Sequence, residues 1–112
     1  MKIRILLAVA LVSAAGAAQA QRVSKVNGTR LLKLCSAGMP SSEQCDIYLS
    51  GVADAMALQP AASRMACIPL AVTGTQLREV ALKVMHEHPE KLQLPAGDIA
   101  THAFAEAYPC KK

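Results

Sequence analysis

The chain has 112 residues, 12 Lys or Arg against 8 Asp or Glu, a formal charge of +4, 53% hydrophobic residues and three aromatics, Tyr48, Phe104 and Tyr108. That length holds one domain and excludes a multidomain enzyme. The basic balance invites a nucleic-acid reading, but no basic run exceeds Lys111-Lys112, so there is no stripe for phosphates.

The first predicted element is a leader. Lys2 and Arg4 precede an apolar stretch from Ile5 to Ala18, which ends in Ala18-Gln19-Ala20. A positive start, an apolar run too short to span a bilayer and small residues before the cleavage point read as a secretory signal peptide. Cleavage after Ala20 leaves 92 residues, residues 21–112, and lowers the formal charge to +2 by removing Lys2 and Arg4. No later run approaches the roughly 20 apolar residues of a membrane helix, so the mature chain is expected to be exported and soluble without membrane insertion.

Residues 21–26 read as a frayed start. Asn27 is placed to cap a first helix that carries Leu31, Leu34 and Cys35 at helical spacing and stops before Gly38 and Pro40. Ser41 and Gln44 form a capping-box pattern ahead of Cys45, Tyr48, Leu49, Val52 and Met56, which share one face of a second helix. Gly51 lies inside that helix, at a cost of roughly 1 kcal/mol relative to Ala, and reads either as a close crossing point or as a plain surface glycine. Asp54 falls on the side with Ile47 and Gly51, where capping or pairing with a buried group outweighs catalysis.

Pro60 ends the second helix, and residues 59–72 form the longest connection. Thr73 and Gln76 repeat the capping box, and Leu77, Val80, Ala81, Val84 and Met85 give a third helix that runs to about His88, before Pro89. His86 and His88 then occupy its last turn, where the helix dipole favours a cation. Pro95 suits the first turn of a fourth helix with Ala96, Ile99, Ala100, Ala103, Phe104 and Ala107 on one face, ending at Pro109. No alternating strand pattern appears, so the expected fold is all-α, a small four-helix domain stapled by two disulfides.

Cys35, Cys45, Cys67 and Cys110 are an even set in a small exported chain, and their wide spacings argue for disulfides rather than zinc. Each cross-link is expected to add about 2–4 kcal/mol to a modest core. An up-and-down arrangement favours pairing Cys45 with Cys67 and Cys35 with Cys110, with two other connectivities open.

Reactive centres are not apparent. Ser42 and Ser50 lack a nucleophile-elbow motif, His86 and His88 diverge on a helix, and His102 stands alone, so no catalytic residue, metal site or cofactor is expected. A chain of this kind works by presenting a surface. The stretch His86 to Pro95 mixes charge with Leu92 and Leu94 and joins the two best-defined helices. It reads either as a contact patch or as the closure of the core.

The leader, the string Cys45-Asp46-Ile47-Tyr48-Leu49-Ser50-Gly51-Val52-Ala53-Asp54, then Cys67-Ile68-Pro69 with Thr73 to Leu77, His88-Pro89-Glu90 and Tyr108-Pro109-Cys110, together resemble the Rap/Tai family. Those are periplasmic immunity proteins that neutralise cell-wall amidase toxins of the type VI secretion system. The resemblance implies a helical, disulfide-bonded, often homodimeric protein that is not an enzyme and blocks the cleft of a peptidoglycan amidase effector. It also implies that a loop between late helices reaches toward the toxin, here carried by His86, His88, Glu90, Lys91, Leu92 and Leu94. The alternative from another class is a periplasmic chaperone or envelope-stress protein that binds unfolded clients. Tight stoichiometric binding to one partner, against weak binding to many, separates the two.

Overall fold

The structure is a computed structural model that describes residues 23–111, so the leader and its cleavage point lie outside the described residues. Four helices follow in order: α1 Gly28–Ser36, α2 Ser41–Ala57, α3 Gly74–Glu87 and α4 Ala96–Ala107, with 3-10 turns at Ala61–Ser63 and Pro89–Lys91. Among the described residues there is no strand, only an isolated bridge between Asn27 and Pro95. The all-α, two-disulfide domain expected from the sequence is what forms.

The apolar faces meet in one core. Leu31 and Cys35 of α1, Cys45, Leu49 and Met56 of α2, Leu77, Ala81, Val84 and Met85 of α3, and Ala96, Ile99, Ala100, Ala103 and Phe104 of α4 are all buried. Ala96, Ala100 and Ala103 are completely covered, which shows why α4 is rich in alanine: small side chains let it seat closely among its neighbours. Tyr48, Val52 and Val80 share the apolar faces but are only partly buried at the core edge. Ala107, expected on the inner face of α4, is exposed because the helix ends there.

Helix starts follow two different solutions. Asn27 accepts from the Arg30 amide at 3.0 Å, and Thr73 with Gln76 forms the full capping box, its two bonds at 3.2 and 2.9 Å. The box expected at Ser41 and Gln44 does not form, because Pro40 is the cap residue and has no side-chain bond. The short turn into α2 satisfies the free amides with its own carbonyls, Ser42 to Gly38 and Gln44 to Pro40, and Ser42 Oγ turns to Met39 Sδ. Pro95 likewise stands just before α4 as its cap residue, rather than inside the first turn.

The disulfides correct the favoured pairing. All four cysteines are bonded, but as Cys35–Cys45 and Cys67–Cys110, with Cα–Cα distances of 5.1 and 4.9 Å. The short connection between α1 and α2 already places Cys35 beside Cys45. The segment after α2 does double back along that helix, for Ile68, Pro69, Leu70 and Val72 line a groove with Ser50, Ala53, Asp54 and Ala57. Cys67, however, stops level with Ala53, Met56 and Ala57, short of the Cys35–Cys45 end. There the residues after α4 meet it, and the Cys67 amide donates to the Tyr108 carbonyl at 2.8 Å.

Two α2 expectations resolve as surface features. A Cβ on Gly51 would meet nothing within 4 Å, so no helix crosses there. Gly51→Ala is therefore expected to stabilise the fold by about 0.5–1 kcal/mol through helix propensity alone, read as a higher urea midpoint with unchanged slope. Asp54 is exposed rather than paired with a buried group. The α2 carboxylate that does pair is Asp46, with Arg78 Nε of α3 at 3.3 Å.

The end of α2 is closed from the long connection. Arg64 donates through Nη2 to the carbonyls of Ala57 and Gln59, both at 3.1 Å, placing a cation on the negative end of the helix. Arg64→Ala removes two charge-assisted bonds and is expected to cost about 1–3 kcal/mol, measurable as a lower urea midpoint.

Candidate functional site

The segment from His86 to Pro95 is built outward from the end of α3. His88 closes that helix, its amide donating to the Val84 carbonyl, and Pro89 has no amide with which to continue it. The chain then winds through short-range bonds: Lys91 N to His88 O, Leu92 N to Pro89 O and Leu94 N to Lys91 O, at 2.9, 3.2 and 2.9 Å. His88 Nδ1 lies 3.1 Å from Glu90 Oε1 across the turn. A backbone hydrogen bond from its own amide, with His88 adding to it, holds the Glu90 carboxyl below its usual range. The charged form is thus favoured in the folded chain, a contribution present above the ordinary carboxylate range and lost as pH falls through the lowered value.

Long-range bonds then clamp this turn to the start of α1. The first amides of α1 lack partners within their helix. Gly28 N donates to Leu94 O at 2.9 Å and Thr29 N to Leu92 O at 3.0 Å, while Thr29 Oγ1 reaches Leu92 O at 3.4 Å. On the other side Ala96 N donates to Val26 O at 2.8 Å. Val26 is therefore fastened, where the sequence reading expected a frayed start through residue 26. The approach is close: a Cβ on Gly28 would lie 2.8 Å from both Leu92 Cα and Leu92 O and would clash with Ile99 Cδ1.

The clamp divides the two leucines. Leu92 packs against the core and Leu94 stands 45% exposed. Leu92 thus helps to close the core, while Leu94 stays at the surface. His86 and Glu90 are exposed, and His88 and Lys91 are half-buried, so the six residues expected at a partner surface lie on one short segment with Leu92 as its inward anchor. The roles of Gly28 and Thr29 were absent from the sequence reading. A glycine directly after a helix cap was the only available signal, and it says nothing of what the backbone approaches.

The histidines have separate surroundings. His86 stands exposed in the last turn of α3, and His102 Nε2 lies 3.6 Å from Glu106 Oε2 on α4. Among the described residues no group of three or more His, Cys, Asp or Glu side chains is arranged to hold a metal ion. No helix among them is long and apolar enough to cross a membrane.

A small helical domain with an anchored, partly apolar turn on its surface is suited to recognition, and comparison with known families bears on what it recognises. The model of the Rap1a immunity proteins matches residues 27–110, from the cap of α1 to the last cysteine. The chain belongs to the Rap1a immunity protein family. No curated protein and no solved structure matches it. The match covers all four helices and both disulfides, including the clamp between α1 and the turn before α4. Membership makes it an immunity protein, whose partner is a toxin, in a family that is generally non-enzymatic. The two disulfides fit an exported protein.

Proposed function

We propose that this Rap1a protein is a periplasmic antidote that binds a peptidoglycan amidase delivered by a type VI secretion system and occludes its catalytic cleft. The observation that carries this reading is the anchored turn: Leu94 is exposed on a backbone bonded to α1 at Leu92 and Leu94. A segment already ordered before association loses little conformational freedom on docking, which favours tight binding by a small surface. Leu94 would be the apolar anchor, with His86, His88, Glu90 and Lys91 as the polar rim around it and Leu92 as the support from beneath. Inhibition on this reading is steric, and no residue of the chain performs chemistry on the amidase or its substrate. The leader through Ala20 would deliver the protein to the compartment where the amidase acts.

The test is co-expression in the periplasm with a candidate peptidoglycan amidase, scored by lysis and by cleavage of purified peptidoglycan in vitro. The expected result is full protection, with amidase activity titrated to zero at stoichiometric inhibitor. Unchanged lysis, together with the absence of a complex by gel filtration, overturns the amidase reading. A second copy of the chain in the complex would agree with the homodimer that the family resemblance implies.

A further inference from the structure

The two disulfides occupy opposite environments. Cys35 and Cys45 are buried, at 4% and 0% exposure, whereas Cys67 is exposed and Cys110 half-buried. We propose that Cys67–Cys110 is a thiol–disulfide exchange site, opened by a dithiol reductant through attack on the Cys67 sulfur, while Cys35–Cys45 remains the permanent staple.

Three features of the site support this. First, Cys67 borders a depression of about 180 Å³ together with Arg64, Ala66 and Ile68, and Cys110 borders a wider one of about 450 Å³ with Arg64, Met65 and Lys111. An attacking thiolate must reach one of the two sulfurs, and Cys67 is the more exposed residue of the pair. Second, Arg64 lines both depressions, so a guanidinium cation stands beside the disulfide. A neighbouring cation favours an incoming anion, and the attacking thiolate is one. Third, the sulfur that leaves is provided for: Lys111 adjoins Cys110 in sequence, and Cys110 Sγ lies 3.7 Å from the Arg64 carbonyl, to which a newly formed thiol can donate.

The exchange balances as follows. A thiolate of the dithiol bonds to Cys67 Sγ, the Cys67–Cys110 bond breaks, and its electron pair leaves on Cys110 Sγ, which takes a proton from solvent. The second thiolate of the reductant then attacks its own sulfur in the mixed disulfide and releases Cys67. The protein gains two electrons and two protons, and the dithiol becomes a disulfide. The packed helices and Cys35–Cys45 hold the remaining fold together.

The oxidised full-length mature protein would be exposed in native buffer to dithiothreitol for reduction and to glutathione for trapping the mixed disulfide. Samples are quenched with N-ethylmaleimide and peptide-mapped. The expected result is alkylation of Cys67 and Cys110 roughly tenfold or more faster than of Cys35 and Cys45, with the glutathione adduct on Cys67 and helical circular dichroism retained. Arg64→Gln should slow glutathione, whose thiolate form carries further carboxylates, more than the singly charged thiolate of 2-mercaptoethanol, a difference that a purely structural role would not produce. Equal rates at the two disulfides, an adduct on Cys110, opening that proceeds only as fast as global unfolding, or an equal effect of Arg64→Gln on both thiols would overturn the assignment.

Discussion

Leu94→Asp is expected to weaken toxin binding by about 2–4 kcal/mol, the range of a central apolar anchor, while leaving thermal unfolding nearly unchanged. Leu94 is 45% exposed, so the folded chain gives up little burial when the side chain becomes charged. In the complex the same carboxylate would have to leave water without a partner, and that asymmetry sets the size of the effect. Calorimetry with the amidase and periplasmic protection assays both read it. Retained protection would remove Leu94 from the contact surface. Leu92→Asp is the informative contrast: Leu92 packs on the core, so a charge there is expected to lower stability first and binding only as a consequence. Changing both leucines together would mix the two effects, which is why the single substitutions are the proper experiment.

Gly28→Ala is expected to be the most disruptive single methyl addition among the described glycines, costing about 3–5 kcal/mol. The added carbon would sit 2.8 Å from Leu92 Cα and O, both backbone atoms that cannot swing aside as a flexible side chain does. Overpacking of this kind costs about 1–3 kcal/mol. Pushing Leu92 away also strains the bonds from Gly28 N to Leu94 O and from Thr29 N to Leu92 O, worth about 1 kcal/mol each. Against a total stability of about 5–15 kcal/mol for a domain, such a loss is visible in any denaturation curve. Hydrogen exchange at the Gly28 and Thr29 amides should rise with it, because those donors report the clamp directly. A change below about 0.5 kcal/mol would mean that the approach of α1 to the turn is looser than the structure shows. Binding should fall together with stability in this variant, in contrast to Leu94→Asp.

The two variants mark where local pattern ends and long-range geometry begins. The inner faces of α2, α3 and α4 were readable because burial repeats with the helix period, and Leu49, Leu77 and Phe104 fall on it. The capping box at Thr73 was readable because its partners are three residues apart. The same pattern at Ser41 and Gln44 failed because neighbouring carbonyls in the turn, at Gly38 and Pro40, took the free amides first. Composition and cysteine number also carried the two-disulfide reading, but the pairing depended on how far the segment after α2 travels before meeting the end of α4. That distance has no local signature.

Periodicity, caps and cysteine count therefore determined the helical class, the four elements and the presence of two disulfides. Tertiary structure alone decided that Cys67 bonds to Cys110, and that Leu92 turns inward while Leu94 stays out. Each of these depends on groups brought together across the chain, as when the unpaired amides of Gly28 and Thr29 find the carbonyls of Leu94 and Leu92. A backbone donor left over at a helix start must be satisfied somewhere, but only the packing of the other helices settles which carbonyl is within reach.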